Sequence, residues 1–335
     1  MTPIQLELPT IFEGMTVNAW LIKGETPTLV DCGEKTDKCW DALVNGLKKH
    51  GLGIGDIKKV VITHAHLDHI GMANKITQHS DATIWVNEYC YDWAIDLKTM
   101  LDRRTKAILG VAKRNLSKAL VDKFFNFGYE MLSPYWDEIP AERLKVFPMK
   151  GTIKLGDEDW DIIYTPGHCI NQTCFYNPRN GEFISADMLL RIIASPIIDA
   201  GLKPPYQRVK SLVMHLASYQ KIAQLNITKA FPGHFDPLEQ VDLLVEKQIQ
   251  KIHTRKEKCL EGIKSGMTQV EALTNYIYPK RMNNATLFMV LGFIDILLDE
   301  GRIEAIEKDG MLHYYEKAMV PVSYTHLTLP TIYSV

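Results

Sequence analysis

Short apolar runs alternate with helical periods along residues 1–90. Runs at 17–22, 28–30, 59–62 and 83–86 are rich in β-branched residues and read as strands. Between them, residues 38–50 and the segment after Gly71 carry helical spacing. Strands alternating with helices predict an α/β layered fold. Residues 92–145 break that rhythm. Leu97, Met100, Leu101, Ile108 and Leu109 follow one helical period, and Leu116, Leu120, Val121, Phe124 and Phe125 another. Phe127, Tyr129, Tyr135 and Trp136 add aromatic surface to this insert. Strands and turns resume over 146–240, with a hairpin signal at Asn180-Gly181.

Beyond residue 240 the pattern becomes helical again. A long amphipathic helix is expected over 240–265. Thr268 and Glu271 have the spacing of a capping box ahead of a second helix, which Pro279 ends. A third helix spans 284–300, and Gly301 stops it. Runs at 303–306 and 311–315 then flank Asp309-Gly310, a two-residue hairpin signal. Three helices followed by a hairpin make a winged-helix arrangement over 241–318. Base readout uses Arg, Lys, Asn and Gln. The third helix instead carries Leu287, Phe288, Val290, Leu291, Phe293 and Ile294, with only Asn283 and Asn284 at its start. Lys251, Arg255, Lys256 and Lys258 on the first helix are diluted by Glu257 and Glu261. The unit is therefore expected to serve packing, homodimer formation or the substrate rim. Nucleic acid is an open partner but not the favoured one.

The densest chemistry lies at residues 63–69, Thr-His-Ala-His-Leu-Asp-His. His64, His66, Asp68 and His69 are four potential ligands on the loop that ends the strand 59–62. A His-x-His pair puts both imidazoles on one side of an extended chain, close enough to share an ion. The Asp-His pair that follows can turn toward a second ion. Two neighbouring metals can hold a hydroxide between them, and that hydroxide is the nucleophile of a hydrolase.

The pattern resembles the His-x-His-x-Asp-His signature of the metallo-β-lactamase-fold hydrolases, and later motifs follow in that family's order over residues 10–240. Asp31 lies in Leu29-Val30-Asp31-Cys32-Gly33, His168 in Thr165-Pro166-Gly167-His168, Asp187 in Ile184-Ser185-Ala186-Asp187 and His234 in Phe231-Pro232-Gly233-His234. The resemblance implies a four-layer αββα sandwich over 1–240, with the helical insert at 92–145 and a small C-terminal winged-helix domain. It implies that His64, His66 and His168 hold one metal, that Asp68, His69 and His234 hold a second, and that Asp187 bridges both. Asp31 would orient the metal loop through hydrogen bonds. Asp68 would also steer a proton during turnover. Zinc is the expected metal; imidazole and carboxylate also suit iron or manganese. The implied activity is hydrolysis of a small ester, thioester or lactone, with a small acyl molecule as partner. The thioester comes from similarity to hydroxyacylglutathione hydrolases. The chain departs from them after Asp187, reading Met188-Leu189-Leu190-Arg191-Ile192-Ile193. The alternative is phosphodiester cleavage, because branch members with a winged-helix domain include endoribonuclease-like proteins.

Composition changes this picture little. The chain has 335 residues, 46% hydrophobic and 23% charged, which is ordinary for a globular enzyme. A net charge of −2 gives no whole-chain argument for an acidic or nucleic-acid partner. No signal-like N-terminus precedes the fold, and the apolar stretch 287–298 is interrupted by Asp295 and too short for a bilayer. A cytoplasmic protein without a membrane partner is expected. The six cysteines include no Cys-x-x-Cys pair and read as free thiols. Cys169, beside His168, is read as a small buried residue. The insert is locally basic at Arg103, Arg104, Lys106, Lys113, Arg114, Lys118 and Lys123, which suits either an anionic substrate or a solvated helix face.

Residues 322–335 carry no charge and no helical period, and they closely resemble the translation of a sequencing adaptor. This tail is expected to be non-native, with the true end near Met319 and with His326 no ligand. Deleting 321–335 should leave thermal midpoint and turnover unchanged. A continuous genomic frame encoding the tail would refute the expectation.

Overall fold

The computed structural model describes residues 2–125, 129–196 and 198–317. Phe127 and the tail at 322–335 lie outside the described residues.

Two sheets face each other. The first has the order β1 (Ile4–Pro9), β2 (Thr16–Ile22), β3 (Thr28–Val30), β4 (Lys59–Val61), β5 (Thr83–Asn87) and β6 (Leu144–Phe147). Its first three strands are antiparallel neighbours, and β3 to β6 run parallel. The second sheet contains β7 (Lys150–Leu155), β8 (Glu158–Tyr164), β9 (Thr173–Asn177), β10 (Glu182–Ala186) and β11 (Lys229–Pro232), antiparallel except for the parallel β10–β11 pair. The apolar runs are short and continuous because both faces of each sheet are covered. In β2, Val17, Ala19 and Leu21 face one core while Trp20 and Ile22 face another. In β4, Val60 and Val61 divide in the same way, as do Phe183 and Ile184 in β10. A period of two sends successive side chains to opposite faces.

Three apolar layers result. Trp20, Val30, Val61, Trp160, Phe175, Ile184 and Phe231 fill the space between the sheets. Outside the first sheet lie α1 (Asp37–Lys49), the turn α2 (Leu67–Ile70) and α3 (Ala73–His79), contributing Leu43, Leu47, Ile70 and Ile76. Thr36 caps α1 by accepting from the Cys39 N–H. The insert supplies α4 (Tyr91–Ile95), α5 (Leu97–Asn115), α6 (Lys118–Phe124) and α7 (Tyr129–Leu132). Outside the second sheet lie α8 (Ser211–Ile222), α9 (Val241–Lys264), α10 (Val270–Ile277) and α11 (Asn284–Asp299). The hairpin β12 (Ile303–Lys308) and β13 (Met311–Glu316) completes the described chain. The sequence reading places no strand at 4–9, so β1 is an addition to it; over 146–240 it expects strands and turns without bounds, and β7 to β11 supply them.

The insert joins two cores. Trp93, Leu97, Leu101 and Trp136 pack on the first sheet's outer layer. Ile108, Ala112, Leu116, Val121 and Phe125 share a core with α8, α9 and α11. The small C-terminal unit of helices and strands is thus continuous in packing with the outer layer of the second sheet. Asp309 and Gly310 adopt φ of 51° and 77°, the left-handed pair that a two-residue hairpin requires.

One local expectation fails. The Thr268 capping box does not form: Gln269 is the residue that begins α10, and no side chain caps it. Thr268 Oγ1 instead meets His313 Nδ1 at 2.9 Å on β13, and Glu271 accepts from the Ser117 N–H ahead of α6. Tertiary partners outcompete the local cap. The basic residues of α9 are diluted as expected, with tertiary partners taking part. Lys256 is buried and paired with Glu300 at 2.5 Å, while Arg255 and Lys258 lie over Tyr278 and Tyr276.

Asp295 interrupts the apolar face of α11 because Arg208 reaches it with both terminal nitrogens. The carboxylate is buried, and one of these bonds measures 2.7 Å. Removing one partner of a buried pair leaves an uncompensated charge and costs about 3–5 kcal/mol. Asp295→Ala should therefore lower the unfolding free energy obtained from urea titration by an amount in that range. An unchanged midpoint for Asp295→Ala would contradict this role.

Candidate metal centre

The strand ends place the site. Asp31 follows β3, His64 follows β4, His168 follows β8, Asp187 follows β10 and His234 follows β11. The carboxyl ends of strands from both sheets converge at one edge of the sandwich, where loops can present side chains on a rigid frame. Three non-glycine residues there have left-handed backbone: Asp31 at φ 59°, Ala186 at 44° and Phe235 at 69°. Such strain is held only where the surroundings enforce it, and it gathers at functional sites.

All seven sequence-proposed ligands come together. His64 Nε2 lies 3.0 Å from His66 Nδ1, and His168 Nε2 lies 2.9 Å from that same atom. Three ring nitrogens thus aim at one point. On the other side, His234 Nε2 is 3.4 Å from Asp68 Oδ2, and His69 Nε2 is 3.8 Å from it. Asp187 stands between the groups: Oδ1 is 3.6 Å from His69 Nε2, and Oδ2 is 3.3 Å from His168 Nε2 and 3.4 Å from His234 Nε2. The extended conformation of His66 keeps it beside His64, and the α2 turn redirects Asp68 and His69.

Hydrogen bonds on the far side of four of the five rings fix their direction, while the outer Nε2 of His66 is buried with no hydrogen-bond partner. His168 Nδ1 donates to the Ser195 carbonyl at 2.9 Å, and His234 Nδ1 donates to the Thr16 carbonyl at 2.6 Å. Asp31 does the most. It accepts from the Thr63 N–H and hydroxyl, both at 2.8 Å, and from His69 Nδ1 at 2.7 Å. The Thr63 hydroxyl in turn accepts from His64 Nδ1 at 3.0 Å. Such partners set the tautomer that leaves the inward nitrogen free.

The donor set fits divalent cations. A tetrahedral ion with bonds of about 2.0–2.1 Å to nitrogen holds its ligand nitrogens about 3.3 Å apart, close to the spacing of the three histidines. His69 Nε2 and Asp187 Oδ1 are buried without a hydrogen-bond partner, which is costly unless something else binds them. Burial, reinforced by neighbouring imidazoles, pushes His64 and His66 well below the usual histidine range, and burial also lowers His168. Neutral imidazole is the ligand form. The other group has the opposite sign. Burial disfavours charge on His69 and His234, but Asp68, Asp31 and Asp187 outweigh it at His69, and Asp187 and Asp68 raise His234 to about 10. Protons there occupy the region where carboxylates favour positive charge.

Several contributors carried no earlier signal. Thr63 was visible only as the residue before the motif. The Thr16 and Ser195 contacts are backbone carbonyls, which no side-chain pattern marks. Asn171 Oδ1 accepts from the Ala65 N–H at 3.2 Å and steadies the metal loop. Glu34 is buried nearby; burial and the charge of Asp68 push its carboxyl to about 7. Cys169 is buried, donates to Asn171 Oδ1 at 3.2 Å and is held well above the usual thiol range by burial. It lies near His64 and His66 yet remains a neutral thiol. Gly233 makes room for the bridge: a Cβ there would sit 2.2 Å from Asp187 Oδ1 and 2.8 Å from His69 Cε1.

A family model described as the Metallo-beta-lactamase superfamily matches residues 13–234. The chain is 26% identical over 324 residues to the probable metallo-hydrolase YqjP of Bacillus subtilis (strain 168), covering 93% of this chain and 97% of that one. The fold is shared with a metallo-beta-lactamase family protein from Thermus thermophilus, with a TM-score of 0.75, 21% identity and coverage of 94% and 98%. It is also shared with a beta-lactamase domain protein from Burkholderia ambifaria, with a TM-score of 0.73, 20% identity and coverage of 93% and 91%.

Two substitutions test the geometry. Gly233→Ala should displace Asp187 and reduce bound metal while far-UV circular dichroism stays unchanged. Asp31→Asn should weaken metal affinity about 10–100-fold by loosening the orientation of His69. Competition with a chelator measures both, and wild-type affinity in either variant would contradict the arrangement.

Proposed function

The chain belongs to the metallo-beta-lactamase superfamily and is a metal-dependent hydrolase; from that premise we propose that it is a binuclear enzyme cleaving a small ester, thioester or lactone. The observation that carries the binuclear reading is Asp187, whose two oxygens face histidines of both groups. His64, His66 and His168 would hold one ion, and Asp68, His69 and His234 the other, with Asp187 touching both. Zinc, iron and manganese all suit these donors. Bound divalent ions supply Lewis acidity and an activated water at neutral pH.

The chain's own residues do the rest. Asp31 and the Thr16 and Ser195 carbonyls hold the imidazoles in place. Asp68 is half-buried, its side chain 23% exposed, and it is placed to hold a proton at Oδ2 during turnover. Arg191 lies 4.9 Å over Phe235, the residue after His234, and Phe12, Met15 and Ile192 are exposed on the segments that lead to Thr16 and away from Asp187. Apolar side chains near an arginine suit an acyl group with a polar end.

What disfavours the phosphodiester alternative is α11. Its residues 287–297 are buried, so it offers no face to bases. The salt pairs of Lys256 and Arg114 likewise leave less free positive charge for a polyanion. Among the described residues no helix is long and apolar enough to cross a membrane.

His66→Ala and Asp187→Ala should each lower kcat by at least about 10³-fold while the fold persists. Wild-type protein loaded with one metal should show a higher kcat/KM on aryl thioesters and lactones than on a bis-aryl phosphodiester. The reverse ranking in matched assays would overturn the acyl reading, and full activity in either variant would overturn the site.

A further inference from the structure

A second recess lies beside the metal loop, beneath the insert. It has a volume of about 240 Å³ and is lined by Tyr89, Trp93, Arg103, Arg104, Lys203 and Tyr206, with Ile170 from the His168 loop. Arg104 is its centre. Nε donates to Asp199 Oδ1 at 2.7 Å, and the guanidinium lies over Trp93 at 4.0 Å from the ring. Asp199 Oδ2 accepts from the Ile170 N–H at 3.0 Å, which ties this pair to the loop carrying His168. The Arg104 side chain is only 11% exposed, yet its Nη2 is buried with no partner. A charged donor left unpaired in a low-dielectric recess is unfavourable, and guanidinium favours planar or tetrahedral oxyanions. Ile170, which lines the recess, is two residues past His168, so an occupant of the recess lies near the candidate metal centre. Arg103 stacks over Tyr206 at 4.6 Å and adds a second cation. Glu88 and Asp92 also line the recess, but both are solvent-exposed and therefore screened. The adjoining cavity shares Arg103 and Tyr206 and adds Lys106, giving room for a longer substituent; its Arg114 and Arg208 are already paired with Glu307 and Asp295.

We infer that this recess binds an oxyanion group at the far end of the acyl substrate, so that the preferred substrates are anionic acyl esters or thioesters. The inference rests on the hydrolase reading above and narrows it. A carboxylate and a phosphate share the chemistry, since each offers oxygens to Arg104 Nη2.

Calorimetry on the metal-loaded full chain tests this without turnover. The probes are pentanoate, glutarate and 4-phosphonobutanoate, which share one carboxylate and differ at the other end. Glutarate or the phosphonate should bind at least about ten-fold more tightly than pentanoate, and whichever does so identifies the oxyanion. Arg104→Met should reduce that preference to less than about three-fold. Because Arg104→Met also strips Asp199 of its partner, Arg103→Gln and Lys203→Gln serve as second variants outside that brace; each should reduce the preference with metal content intact. Equal binding of all three probes to the wild type would overturn the proposal. So would a preference that survives all three substitutions, which would place the anion at another cation. Hydrolysis of neutral and anionic thioesters at equal kcat/KM, with no binding preference, would sink the recess and spare the hydrolase reading. An Arg104-dependent preference in a protein that cleaves no ester, thioester or lactone would do the reverse.

Discussion

The carboxylate of Asp31 is the constraint on which the site depends. It follows a three-residue strand in left-handed backbone, and it accepts from three groups on the neighbouring segment. Those bonds join the ends of two parallel strands, fix the start of the metal loop at Thr63 and set the ring of His69. A charged acceptor buried with three donors is stable, whereas one buried with none is costly. The backbone strain at Asp31 is therefore offset by the network it completes. His64 is oriented through the same network, since its ring contacts the Thr63 hydroxyl that Asp31 holds.

Around that anchor the ligand atoms face one another without satisfying one another. Three neutral imidazoles point inward on one side; on the other, two histidines stand among carboxylates. His64 and His69 are fully buried, while Asp68 opens the cluster to solvent. Low dielectric makes each unpaired lone pair expensive and each bound cation more strongly held. The sandwich makes this tolerable by placing the cluster where rigid strand ends from two sheets meet.

The insert and the C-terminal helices are joined in packing. They are not independent additions, because Ile108, Leu116 and Phe125 of the insert pack in one core with Val245, Leu260 and Phe293. Arg208 and Asp295 extend the coupling with a buried ion pair between the 199–210 segment and α11. A change of packing in the C-terminal unit would therefore be felt at the walls beside the metal loop.

Much of this was legible in the chain itself. The β-branched runs at 17–22, 28–30, 59–62 and 83–86 marked strands, because a period of two with both faces buried leaves few alternatives. The seven proposed ligands were singled out by the dense cluster at 64–69 and by the family resemblance of the later motifs, and the structure gathers their side chains at one edge of the sandwich. Asp309-Gly310 was readable because only a left-handed pair closes so short a hairpin. Tertiary structure decided the rest. Thr268 and Glu271 had the spacing of a cap, but partners on β13 and ahead of α6 took them, since long-range bonds outcompete a local one. Lys256 looked like part of a basic face and is instead buried against Glu300. Gly233 matters through a clearance to Asp187 across two strands, and the Thr16 and Ser195 carbonyls through backbone position alone. Contacts of that kind depend on how distant segments approach in space, so no local pattern of side chains could encode them visibly.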